Sequence, residues 1–207
     1  MSTLDLRRAL ASLAPRRPIF HSEADFQHAL AWDLASAGHA GDLRLERPLD
    51  VAGERLYVDI VARAGAARLA IELKYWPRRG EVDLDGEVFR LKNGAAQDIR
   101  RFDFWKDVER VQSLVAAHAV DAGFVVALTN DPGYWNAGRP GTIDQAFRMA
   151  DGARVHGDLA WDPRASAGTR KDRDRSIAVR TPVSVRWSDY SLVGTERFRY
   201  VVVSTSE

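Results

Sequence analysis

Asp59, Glu72 and Lys74 are the residues of this sequence whose types and spacing could do chemistry. Glu72 and Lys74 lie two apart in "RLAIELKYW" (68–76), where Leu69, Ile71, Leu73 and Tyr75 alternate as one buried strand face does. Asp59 lies in the preceding run, "RLYVDIVARA" (55–64). Gly65 and Ala66 sit midway, and glycine followed by another residue suits a two-residue type II′ turn, whose first position has positive φ. That turn pairs Ala64 with Ala67, Asp59 with Glu72 and Tyr57 with Lys74. Directly opposed residues share a face, with Cβ atoms about 4.5–5.5 Å apart. Two opposed carboxylates repel; a divalent cation between them turns the repulsion into ligation. All-oxygen coordination suits Mg²⁺ or Mn²⁺. A lysine beside the metal can orient or deprotonate a water, or stabilise charge on a phosphate in flight. The plainer alternative is an ion pair between Glu72 and Lys74 on a half-exposed strand, with Asp59 merely solvated. A one-residue slip in register would also dismantle the site.

The surrounding elements must position these groups. "LDLRRALASLA" (4–14) fits a short amphipathic helix. In "HSEADFQHALAWDLASAG", Ser22 and Asp25 have capping-box spacing, and Phe26, Leu30 and Leu34 form an apolar stripe. Glu23 shares that stripe at the first turn, so it belongs at the edge of the sheet face the helix covers. The helix dipole alone also favours an acid there. Strand-like runs follow at 43–51, 55–64 and 68–76, joined by short glycine-containing links. A charged segment with room for a small hairpin precedes a helix over about 95–119, capped by Asn93, with Phe104, Val108, Val111 and Val115 buried. "AGFVVALTN" (122–130) reads as a fully buried strand. Beyond it, "IDQAFRMA" reads as one or two helical turns. "ARVHGDLAW", "RSIAVRTPVSVRW" and "RFRYVVVST" read as β, and polar residues 162–176 read as a mobile loop.

The 207 residues suit a single domain, and 45% hydrophobic residues allow a real core. The absence of cysteine excludes disulfides and thiolate metal sites. No run has the length of a signal peptide or membrane span, so a soluble, cytoplasmic protein is expected. Net charge is +1, which neither demands nor excludes a nucleic-acid partner. Only four of the 30 basic residues are lysine, which makes Lys74 mildly informative. The histidines show no ligand spacing, and no phosphate-binding glycine motif or G-x-S-x-G occurs. Arg100 and Arg101 start the long helix and could contact phosphates. An ordinary solvated face is an equal reading there, with Lys106 and Arg110 alternating with Asp103, Asp107 and Glu109. Residues 74–110 are nearly balanced in charge and offer no basic groove. Residues 164–180 carry six basic residues against two acidic ones, Arg170 and Lys171 among them; they could clamp a nucleic-acid backbone or simply solubilise a loop.

An acidic helix, a β-meander carrying Asp59 and the tripeptide Glu72-Leu73-Lys74, then a helix and a buried strand, resembles the PD-(D/E)xK nuclease superfamily over roughly residues 20–130. The resemblance implies an α+β fold: a restriction endonuclease-like αβββαβ core with a mixed central sheet. Residues 131–207 would be a β-rich extension of it. It also implies a Mg²⁺- or Mn²⁺-dependent endonuclease acting on nucleic acid, chiefly DNA. Asp59, Glu72 and the Leu73 carbonyl would hold the metal. Lys74 would assist the attacking water, and Glu23 would support a metal or its water. Val58 stands where the family name has proline. Gln97 is followed four residues on by Arg101, where some branches carry tyrosine, though Gln97 could still line the site. Homodimer assembly is a further expectation. Two other readings stay open: a catalytically silent binding or scaffold subunit of the same fold, and an RNA-directed nuclease.

Overall fold

The computed structural model describes residues 4–51, 53–92 and 94–205. Two helices lead, α1 (Leu6–Leu13) and α2 (Glu23–Ser36). Ser22 caps α2, its hydroxyl accepting from the Asp25 N–H at 3.1 Å. The reciprocal half of the capping box is displaced by one residue: the Asp25 carboxylate accepts from the His21 N–H at 3.0 Å.

Strands β1 (Gly41–Val51), β2 (Glu54–Ala64) and β3 (Ala67–Tyr75) follow. β2 and β3 pair antiparallel from Ala64↔Ala67 to Ile60↔Ile71, the register that the turn predicts. Gly65 has φ +63°, and Ala66 is not among the residues of positive φ. That pattern is what a type II′ turn requires. A Cβ at Gly65 meets no atom within 4 Å, so only backbone strain opposes one. Gly65→Ala is therefore expected to cost about 1–2 kcal/mol, read as a lower midpoint in denaturant with an unchanged slope.

The charged segment after β3 forms the hairpin β4 (Gly80–Leu84) and β5 (Glu87–Leu91). Helix α3 (Gln97–Ala116) then leads to β6 (Ala122–Thr129), which runs parallel to β3 with Leu73 beside Val126. Asn93, the expected cap of α3, lies outside the described residues; Ala96 holds the cap position without a side-chain bond. A Cβ on Gly123 of β6 would fall 1.9 Å from Val111 Cγ1, so glycine there lets α3 lie close on the sheet.

The C-terminal third differs from expectation. After a 3-10 turn (Gln145–Phe147), β7 (Arg154–Leu159) and β8 (Ile177–Ser184) form a separate ribbon, with the single turn α4 (Ala167–Arg170) between them. β9 (Trp187–Val193), unforeseen in the sequence, and β10 (Glu196–Ser204) extend the main sheet. Its order is β1-β2-β3-β6-β10-β9. β10 sits between two strands because both of its faces are apolar. Phe198, Tyr200 and Val202 are buried on one side, and Val201 and Val203 on the other. The segment expected to be mobile is tied to α3 through the ion pairs Arg173–Asp103 and Arg175–Glu109.

The result is an α+β fold on one mixed six-stranded sheet. α1 and α2 cover one face, with Leu10, Phe26, Leu30 and Leu34 packed with Ile71, Leu73 and Tyr75. α3 and the β7–β8 ribbon cover the other, with Phe104, Val108 and Val111 packed with Val125, Ala127 and Val201. Among the described residues no helix is long and apolar enough to cross a membrane.

Candidate active site

β2 and β3 stop pairing at Ile60↔Ile71, one step before Asp59 and Glu72 would face each other. Beyond that point carboxylates serve the outer edge of β3. Asp59 Oδ2 accepts from the Leu73 N–H at 2.7 Å, and Glu23 Oε2 accepts from the Tyr75 N–H at 2.8 Å. Each replaces a carbonyl of the departed strand, so these strand-edge donors stay paired. Gln27, buried on α2, pins the parting: its Nε2 donates to the Asp59 carbonyl at 2.7 Å and to Glu46 at 2.8 Å. The N–H and C=O of one strand residue point to the same edge. The Leu73 carbonyl therefore faces the side on which Asp59 sits.

Glu72 and Lys74 leave β3 on the opposite sheet face from Leu73, toward α3. Since α2 packs on the Leu73 face, Glu23 reaches the site around the strand edge. Lys74 Nζ lies 2.8 Å from Asp107 Oδ2. Arg110 Nη2 lies 2.5 Å from Glu72 Oε1 and 3.4 Å from Asp107 Oδ1. The Glu72–Arg110 contact is close but poorly aligned, and Glu72 Oε1 forms no hydrogen bond. Glu72 is 1% exposed, sealed beneath Arg110.

Asp107 and Arg110 correct the reading of α3 as a solvated face. Asp107 is buried within the apolar stripe, three residues after Phe104 and four before Val111. An acid in that stripe was the available signal for this site residue. Arg101 also departs from expectation. It is 2% exposed, held by Asp144 at 2.5 Å and the Gly133 carbonyl at 2.7 Å, and is not placed to meet a phosphate. Gln97 is spent on Asp131 and Arg101. Arg100 does line the cleft at Lys74, and so does Arg173, whereas Arg170 and Lys171 do not. That cleft, about 510 Å³, is bordered by Glu23, Lys74 and Asp107 with Arg100, Lys106 and Arg173.

Burial dominates the electrostatics. It pushes the Glu72 carboxyl up to about 9, against the pull of Arg110 and with the help of Asp107 and Asp59. Burial likewise raises Asp59, partly offset by the Leu73 N–H and Lys74. Glu23 is an exposed residue, yet its carboxyl end is desolvated at the strand edge and its pKa is raised. For Lys74, burial opposes the charged form, but Asp107, Glu23 and Asp59 outweigh it and hold the ammonium protonated.

Among the described residues no three acid or histidine side chains converge as a ready ligand set. Four carboxylates, Glu23, Asp59, Glu72 and Asp107, nevertheless crowd two cations, Lys74 and Arg110. Fully ionised, the cluster carries two uncompensated negative charges, and its donors are all oxygen. That chemistry fits a hard divalent cation, once Arg110 yields Glu72.

No protein-family profile matches the chain, and no curated protein does. A crystal structure of a protein called SSO0001 aligns over 60% of this chain and 53% of that one, at 16% identity and a TM-score of 0.24. The chain thus spans about half the length of that protein, and so slight a likeness carries no argument.

Proposed function

We propose that the protein is a Mg²⁺-dependent phosphodiesterase that cleaves DNA, built on a restriction endonuclease-like core. The observation that carries this reading is the parting of β2 from β3. It sets Asp59 against the Leu73 backbone, with Glu72 and Lys74 on the adjoining face. The order α2, three meandering strands, α3 and β6 supports it.

Asp59, Glu72 and the Leu73 carbonyl would hold Mg²⁺ or Mn²⁺, with Glu23 supporting the ion or its water. Bound there, the cation would supply Lewis acidity to the phosphate and lower the pKa of a water. The chain's own residues do the rest. Lys74, kept protonated, orients a water and offsets charge developing on the phosphate. Asp107 holds the ammonium in place. Gln27 fixes Asp59 by its carbonyl. Arg100, on the cleft wall, offers a guanidinium to a neighbouring phosphate.

The purified protein is expected to cut plasmid or single-stranded DNA with Mg²⁺ or Mn²⁺ and to stop when EDTA is added. RNA belongs in the same panel, as the substrate of the competing nuclease reading. The Glu72–Arg110 pair favours one other reading, a nuclease-fold binding subunit whose internal cations have replaced the metal. Plasmid, single-stranded DNA and RNA all intact, with no shift in melting temperature on adding Mn²⁺, would establish that alternative.

A further inference from the structure

A second cleft, of about 640 Å³, opens along α3. Lys106, Arg110, Arg175 and Arg180 line it, against two carboxylates, Glu54 and Glu109. The cleft at Lys74, with Asp103 counted beside Glu23 and Asp107, sets three acids against four cations; this one sets two against four, and the larger positive excess suits an anion. Lys106 borders both, so the clefts are neighbours on one helix. From Arg100 to Arg110 the helix rises roughly 15 Å. Measured along a duplex axis, that distance corresponds to the rise of about four phosphates of one strand.

The cations of the second cleft come from distant stretches of chain, which is why charge counted over 74–110 shows no groove. β8 is pinned to α3 by its backbone. The Ala178 N–H donates to Glu109 at 2.8 Å, and the Arg180 N–H donates to Gln112 at 2.8 Å. Glu109 also pairs with Arg175, so one of the two acids in the cleft is already engaged. The Arg175 and Arg180 side chains remain 56% and 73% exposed. Exposed guanidinium pairs of this kind exchange a carboxylate for a phosphate readily, and the planar fork meets phosphate with two parallel bonds.

We infer that this second cleft binds the phosphodiester backbone of a nucleic acid at phosphates flanking the one cleaved. The inference rests on the reading of the Lys74 cleft as the cleavage site. Its test is binding of a labelled single strand and a labelled duplex of about 20 nucleotides, in EDTA, across a salt series. The double variant Arg175→Gln/Arg180→Gln is expected to bind about tenfold or more weakly. Its log-affinity against log-salt slope should shrink by about 1.4 for the single strand and 1.8 for the duplex. Arg175→Lys/Arg180→Lys should restore most of the slope, which a purely structural role would not require. An unchanged slope and affinity overturn the inference, as does a wild-type protein that binds neither DNA. Hydrolysis of bis(p-nitrophenyl) phosphate with Mn²⁺, a diester too small to reach the second cleft, should be equal in wild type and double variant. If that diester is untouched while the slope still shrinks, the cleavage reading fails and the binding surface stands.

Discussion

Lys74→Ala is expected to keep the fold and lose about 10²–10⁴-fold of metal-dependent cleavage. The size of the loss follows from the state of the ammonium. Asp107, Glu23 and Asp59 outweigh burial and hold Lys74 charged, so it serves as a fixed cation at the cleft. Deleting it removes the charge that, in the proposed function, faces the reacting phosphate. The structural cost is modest, because Asp107 keeps Arg110 at 3.4 Å as a remaining partner. Lys74→Arg should rescue poorly, since a planar guanidinium cannot take the place of a compact ammonium. Single-turnover cleavage beside a thermal melt separates the two effects. An alanine variant that cleaves like wild type would reduce Lys74 to a structural partner of Asp107.

Glu72→Gln carries the second large effect, and it has opposite signs in two assays. Folding raises the Glu72 pKa from 4.5 to about 9, so the folded state prefers the neutral acid. Stability linked to this group is fully present below pH 4.5 and is lost as pH rises toward 9. At pH 7 the loss is at most about 3 kcal/mol, at 1.36 kcal/mol per unit. Glutamine keeps the shape and removes the charge. The variant should therefore melt several degrees above wild type at pH 7–9 without metal, and level with it near pH 4. Added Mn²⁺ should stabilise wild type, more so with each pH unit up to about 9, because binding displaces a proton. It should leave the variant unmoved. Should the glutamine protein melt below wild type at pH 8, the Glu72–Arg110 pair is a stabilising bridge and Glu72 is not a destabilising acid of raised pKa.

The hairpin was legible because its determinants are local. Gly65 demands one turn type, and the turn sets the register as far as Ile60↔Ile71; the parting beyond it, which puts Asp59 on the Leu73 N–H instead of opposite Glu72, was not legible. The α2 cap and the apolar stripes of α2 and α3 follow from the same short-range chemistry. What escaped depends on contacts distant in sequence. Asp107 looks like one more polar helix residue until α3 lies across β3. Arg101 has the composition of a phosphate ligand but is buried by a loop that brings Asp144 to it. β9, "WSDYSLV", is the exception: its partner β10 is local, across the two residues Gly194 and Thr195, but the strand mixes polar and apolar residues too evenly to declare itself. The cations at 173 and 175 looked like a solvated loop because their partners on α3, Asp103 and Glu109, are about 70 residues away.

The place of β10 has a bearing on how the protein is made. Residues 196–204 form an interior strand, beside a β6 that is already buried on both faces. On the ribosome, where synthesis proceeds from the N-terminus, everything from α2 to β6 emerges first, with the apolar edge of β6 bare. A bare edge of this kind is a template for pairing with other chains. The carboxylate cluster must therefore wait, inside a half-finished sheet, for a strand synthesised some seventy residues later. Rapid capture of β6 by β10, or shelter by a chaperone until then, decides how much of the newly made protein escapes aggregation.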